Sequence, residues 1–180
     1  ADGAAGDEFG IAVAVSGDTV VVGAHGDDDN GSDSGSAYVF SRNQGGADAW
    51  GQTAKITAAD GADYDNFGSA VAVSGDTVVV GAYQDDDNGN NSGSAFVYAR
   101  NQDGVDNWGQ VTQLSPSDVD LSDEFGDGVA ISGDVIYVGA PGDNYVATRA
   151  GSVYVFARNE GGSDQWGQGG MLTADNYAVN

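Results

Sequence analysis

Two segments of the 180-residue chain concentrate hard oxygen ligands. The first reads Asp27-Asp28-Asp29-Asn30-Gly31-Ser32-Asp33, and the second Asp85-Asp86-Asp87-Asn88-Gly89-Asn90-Asn91. Calcium takes about six to eight oxygens, usually from one tight loop completed by water. Asp27, Asp29 and Asp33, with the carbonyl of Gly31, form one candidate ligand set. Asp85, Asp87 and Asn91, with the carbonyl of Gly89, form the other. Glycine permits the turn each loop needs. With one His and no Cys in the chain, Ca²⁺ is expected over Zn²⁺. The third counterpart, Asp143-Asn144-Tyr145-Val146, has Arg149 where Asp33 stands and is expected to bind weakly or not at all. The competing explanation is a solvated acidic turn, because Asp, Asn and Gly are good turn formers. Three adjacent carboxylates nevertheless repel unless a cation neutralises them.

Other chemistry finds little support in the residue types. The one histidine, His25, is replaced by Tyr83 and Pro141 in the matching positions. There is no cysteine nucleophile and no HExxH motif. Acid pairs abound, but a glycosidase needs one carboxyl held protonated in a cleft, which abundance alone does not supply. The glycine-rich segments lie between strands rather than before helices, unlike phosphate loops. A net charge of −23, from 28 acids against 5 bases, argues against nucleic-acid binding. It fits a very soluble protein, cation binding or a salty habitat. No apolar stretch approaches the ~20 residues of a membrane span, so membrane insertion is not expected. Without cysteines an extracellular chain has no disulfides, and calcium would be the natural staple.

The elements that must carry these loops repeat. Phe9-Gly10, Phe67-Gly68 and Phe125-Gly126 are each 58 residues apart, as are Trp50, Trp108 and Trp166. The units are 1–58, 59–116 and 117–174, and 175–180 re-enter the register of the N-terminus. That register suggests a piece of a longer array, or a chain built to continue into another copy. Within the first unit, residues 11–15, 19–24, 36–40 and 50–57 read as strands. They are short, rich in β-branched residues and separated by turns. Both faces of Ile11-Ala12-Val13-Ala14-Val15 are apolar, bulky on one side and alanine on the other, so the sheet is expected to be covered on both sides. The fold class expected is all-β: three four-stranded β-propeller-type blades of 58 residues, not closed by one chain. The alternative is an open β-repeat array or solenoid.

Phe125-Gly126 followed by Gly139-Ala140-Pro141, with Gly23-Ala24-His25 and Gly81-Ala82-Tyr83 in the other units, resembles the FG-GAP repeat family. The resemblance covers essentially the whole chain. It implies a propeller like that of integrin alpha subunits, an extracellular role in adhesion or ligand binding, and calcium in blade loops. One departure matters. The integrin-type calcium loop precedes the Gly-Ala segment, where this chain has only Ser16-Gly17-Asp18. Its metal residues therefore do not transfer.

Further recurring residues carry structural expectations. Arg42, Arg100 and Arg158 are expected to pair with Asp48, Asp106 and Asp164, six residues on. A ligand-gripping row of arginines is the rival. The tryptophans are expected to pack the outer strand onto a neighbouring unit, with a sugar-stacking row as the weaker reading. Acids preceding each Phe-Gly, among them Asp7, Glu8, Asp63, Asp65, Asp120 and Asp123, read as an exposed linker, or less readily as a cation bridge between units.

Together these features favour a non-catalytic extracellular structural or adhesion module. Its partners would be copies of itself or further repeats, forming a ring or filament, with a surface protein or glycan also considered. A ligand-binding propeller and a calcium-assisted hydrolase are the alternatives.

Overall fold

The computed structural model describes residues 3–102 and 104–174, so the expected re-entry of the repeat at 175–180 lies outside the described residues. Twelve strands form three separate four-stranded antiparallel sheets, each in sequence order. The first holds β1 (Val13–Ser16), β2 (Thr19–Ala24), β3 (Ser36–Arg42) and β4 (Trp50–Ile56). The second holds β5 (Ala70–Ser74), β6 (Thr77–Ala82), β7 (Ser94–Arg100) and β8 (Trp108–Leu114). The third holds β9 (Gly128–Ser132), β10 (Val135–Ala140), β11 (Ser152–Arg158) and β12 (Trp166–Leu172). Ser-Gly-Asp turns close the first hairpins, with glycine at φ near +57° in each, a conformation that L side chains disfavour. No helix long and apolar enough to cross a membrane occurs among the described residues.

The alternation seen in the sequence has a packing reason. Each blade presents a small-residue face to its successor and a bulky face to its predecessor. Val21, Ala37, Val39 and Ile56 of the first blade bury against Phe67, Val78, Val80, Phe96, Tyr98 and Trp108 of the second. Val79, Ala95, Val97 and Leu114 of the second bury in the same way against Phe125, Ile136, Val138, Tyr154, Phe156 and Trp166 of the third. Each Val, Ile, Leu or Phe side chain so buried is worth about 1.5–3 kcal/mol. The first strands β1, β5 and β9 lie against one another, while the fourth strands scarcely meet. The blades therefore fan out from an inner edge, as β-propeller blades do.

Backbone pairing stitches each junction. Phe67 N–H donates to the Ser34 carbonyl, and Phe125 N–H to that of Ser92. Gly75 N–H donates to the Ser16 hydroxyl, and Gly133 N–H to that of Ser74. The ends differ from the middle. The expectation of strands covered on both faces holds for the second blade. Val13 and Val15 of β1 are 64% and 66% exposed, because among the described residues no other blade packs on that face.

Candidate functional site

The acidic loops connect the second and third strands of each blade. Their leading aspartates, Asp27, Asp85 and Asp143, are buried at the foot of each loop. Each uses Oδ1 to accept the amide two residues on, from Asp29, Asp87 and Tyr145. The other oxygen meets a different environment in each copy. Asp27 Oδ2 accepts from the Ser36 hydroxyl at 3.0 Å and the Tyr38 hydroxyl at 2.9 Å. It also pairs with the Lys55 ammonium at 2.8 Å, and the same ammonium holds Asp29 at 2.5 Å. Burial pushes the Asp27 carboxyl up, but the hydrogen bonds from Lys55, the Asp29 amide, Tyr38 and Ser36 outweigh it and hold it below the usual range. Asp143 Oδ2 accepts from Tyr154 at 2.8 Å.

The second copy lacks this support. Phe96 stands where Tyr38 is, and Gln113 where Lys55 is. Gln113 donates to Asp87 and Ser94 instead. Burial pushes the Asp85 carboxyl up to about 7. The Asp87 amide opposes that rise, and the nearby charges of Asp87, Asp65 and Asp60 reinforce it. Burial also raises Asp60 and Asp65. The third loop keeps the tyrosine but has Met171 in place of Lys55, so of the three only the second loop lacks both partners.

The remaining candidate ligands shape the turn. Asp33 and Asn91 adopt left-handed backbone, at φ of 49° and 50°, as does Arg149 at 52°. Their amides donate to the side chains of Asp28, Asp86 and Asn144. Asp and Asn are the residue types most tolerant of that conformation, so this position needs no metal to explain its chemistry. Gly31 lies against the Asp63 carboxylate, and Gly89 against Leu121. Among the described residues, no group of three or more acidic or histidine side chains is placed to hold a metal ion. The first loop does not fit calcium as it stands, because Lys55 already supplies the positive charge. The second fits in charge and not in arrangement.

Two expectations about the recurring polar residues need correction. The arginines pair with the aspartate of the hairpin turn: Arg42 with Asp18 at 3.0 Å, Arg100 with Asp76 at 3.0 Å and Arg158 with Asp134 at 2.8 Å. Of the expected partners, Asp106 comes only to 3.9 Å of Arg100. Asp48, Asp106 and Asp164 instead take left-handed backbone, with amides bonded to Asn43, Asn101 and Asn159. Each guanidinium also lies over the tryptophan of its own blade. Trp108 and Trp166 are buried at blade junctions as expected, and Trp50 is exposed because among the described residues no other blade packs on it.

The linker acids are the second correction. Asp7, Asp65 and Asp123 are buried, and each accepts the amide three residues before it. Their 58-residue spacing was the available signal. His25 is held by Glu8 at 2.8 Å.

The blades, their order and their fan define a β-propeller-type repeat array. The FG-GAP repeat profile matches residues 1–40, 50–98 and 108–156. The chain belongs to the FG-GAP repeat family. Among curated proteins nothing matches it. Among solved structures it is similar to the crystal structure of the computationally designed Ika4 protein, at 15% identity and a TM-score of 0.52. That match covers 95% of this chain and 74% of the designed one.

Proposed function

We propose that the chain is a non-catalytic extracellular module, completed by further blades, that serves adhesion or surface assembly. The observation that carries this reading is the pair of open end faces. Phe9, Ile11, Val13, Val15 and Trp50 at one end, and Tyr137 and Leu172 at the other, are large apolar side chains left exposed. The positions of Phe9 and Trp50 are buried at both internal junctions, as Phe67, Phe125, Trp108 and Trp166, and those of Tyr137 and Leu172 are buried as Val79 and Leu114. A monomer in water has no reason to keep two such faces unless something covers them.

The recurring polar groups are used in holding turns and blades, so they do not converge on a substrate. A propeller that reads a ligand would use its unlike third loop. There the Arg149 guanidinium is already held by Glu124 at 3.0 Å, which disfavours it as a ligand grip. Calcium enters this reading only at the second loop, where Asp85 and Asp87 would have to turn together with Asp60 and Asp65 to bind it.

The test is made on the producing cells. Antibody labelling of intact cells, viewed by electron microscopy, should decorate the surface or extracellular material. Deleting the coding segment should weaken attachment. A cytosolic pool, or turnover of any member of a glycan and peptide panel by the purified chain, would refute the reading.

A further inference from the structure

We propose that the missing neighbour is a second copy of this chain. The small-residue face of blade three in one copy would seat on the bulky face of blade one in the other, at two equivalent junctions that close a six-bladed ring. The inference rests on the reading above that further blades complete the array, and it names the blade that does so.

The glycines at the internal junctions define the contact. A Cβ added at Gly23 would lie 1.9 Å from the Gly68 carbonyl oxygen of the next blade, and one at Gly81 equally close to that of Gly126. These positions are glycine because the following blade's backbone passes there. Gly139 is the third member of the series. Its nearest neighbour to an added Cβ is Gly128 of its own blade, at 3.7 Å. The slot is kept, and among the described residues no backbone approaches it. Gly151 repeats the pattern. A Cβ added at its counterparts Gly35 and Gly93 would lie 2.0 and 2.1 Å from the next blade's Phe67 and Phe125 carbonyl oxygens, whereas one added at Gly151 would meet nothing among the described residues closer than 3.4 Å. At the other end, a Cβ added at Gly10 would meet nothing within 4 Å among the described residues, while one added at its counterparts Gly68 or Gly126 would lie 2.2 Å from the carbonyl oxygen of Ser36 or Ser94. The unfilled half of the contact at residue 139 therefore matches the unfilled half at residue 10.

The side chains agree. Phe9, Val20, Val22, Phe40 and Trp50 line an open apolar recess on blade one. In the middle blade the matching residues are Phe67, Val78, Val80, Tyr98 and Trp108, and all of them are buried. Blade three's open face carries Ala130, Tyr137, Val153 and Gly139, in the register of Ala72, Val79, Ala95 and Gly81. Three blades cannot close alone, and two copies reach the ~4–8 blades of known propellers. The fan of the first strands about one edge favours closure over a straight filament. Because each copy contributes both kinds of face, the head-to-tail contact closes with two-fold symmetry.

One position at the new junction differs. Arg100 and Arg158 donate across their junctions to Thr19 and Thr77. The acceptor facing Arg42 would be residue 135, which is valine. Val135→Thr should restore that bond and tighten the pair about tenfold.

The experiment is sedimentation of the 180-residue chain at low salt and in about 1 M NaCl, where screening offsets repulsion between two strongly acidic copies. The wild type should run at twice the chain mass, more completely in high salt. Gly139→Ala and Val15→Arg should each weaken the dimer at least ~100-fold while leaving the circular dichroism spectrum unchanged. Both sites are open in the single chain, and Gly139 has no left-handed backbone. Val135→Thr should tighten the dimer. A monomer at every salt, a dimer indifferent to both disrupting variants, or a ladder of ever larger oligomers would overturn the proposal. A monomer found at the cell surface would overturn this inference and spare the functional reading. A ring-forming dimer confined to the cytosol would do the reverse.

Discussion

Replacing Asp85 with Asn should remove a loss of stability that the wild type suffers as pH rises. The Asp85 carboxyl is buried, accepts one amide and lies close to Asp87, with Asp60 and Asp65 facing it from the linker. Its folded-state pKa is about 7, against 3.8 in a free chain. Below the lower value both states hold the proton and nothing changes. Between the two, the unfolded chain ionises while the folded one keeps its proton, so stability falls with rising pH. Above about 7 both are ionised and the deficit stays constant. At about 1.4 kcal/mol per pH unit, reduced by screening of the partly hydrated neighbours, the step amounts to about 2–4 kcal/mol. Asn keeps an oxygen for the Asp87 amide and carries no charge. Urea denaturation followed by tryptophan fluorescence, from pH 4.5 to 8, should show the wild type and D85N converging at the acid end. At pH 8 the variant should be more stable by that amount. The other buried acids contribute to both proteins and largely cancel. Phe96→Tyr combined with Gln113→Lys, which supplies Asp85 with the partners of Asp27, should flatten the same step. Parallel curves for wild type and D85N across the range would refute the reasoning.

Lys55→Met should destabilise by about 3 kcal/mol at neutral pH, because it strips the counter-charge from a buried carboxylate. The double variant with Asp27→Asn should recover part of that loss in the same urea assay. Arg100→Ala should cost about 1–2 kcal/mol, since the side chain stacks on Trp108, pairs with Asp76 and reaches Thr19 of the preceding blade. Asp106→Ala should be close to neutral in thermal melting despite its regular recurrence. Millimolar Ca²⁺ should raise the melting temperature of the wild type at pH 8 more than that of D85N, and Lys55→Met should not be needed for the effect. If EDTA and Ca²⁺ leave both unchanged, calcium has no part in the fold.

The strands were legible because β-branched runs and turn residues recur three times in one register, so each copy checks the others. The partner of each arginine was not. Asp48 is near Arg42 in sequence, but antiparallel pairing brings Asp18 to it from the far end of β2, where Arg42 N–H donates to the Asp18 carbonyl. Sequence distance and spatial distance diverge across every strand pair. The linker aspartates were readable as periodic but not as buried, because the loop of their own blade folds against them, with Gly26 and Gly142 N–H donating to the Asp7 and Asp123 carbonyls. The difference between the first two acidic loops was hidden for the same reason. Their sequences are nearly alike, and the difference comes from Phe96 for Tyr38 and Gln113 for Lys55, on strands outside the loop.

The family signature gains a physical meaning from the same geometry. Phe67 and Phe125 fill the junction with the blade before them, each meeting two aromatic rings edge-on at centroid distances of 5.4–6.0 Å. Gly68 and Gly126 bring the backbone close enough to touch the Gly-Ala segment of that blade. The glycine of Gly-Ala is the receiving half of the same contact. The two parts of the motif meet within each unit, where Gly10, Gly68 and Gly126 N–H donate to the Gly23, Gly81 and Gly139 carbonyls, and they pack again between successive units. A chain that carries three Phe-Gly halves and three Gly-Ala halves but only two internal junctions has one of each left over, at opposite ends. The signature that assigns the family thus also marks the two open faces of the described array, while of the acidic loops beside it only the third departs strongly, with Tyr145 and Arg149.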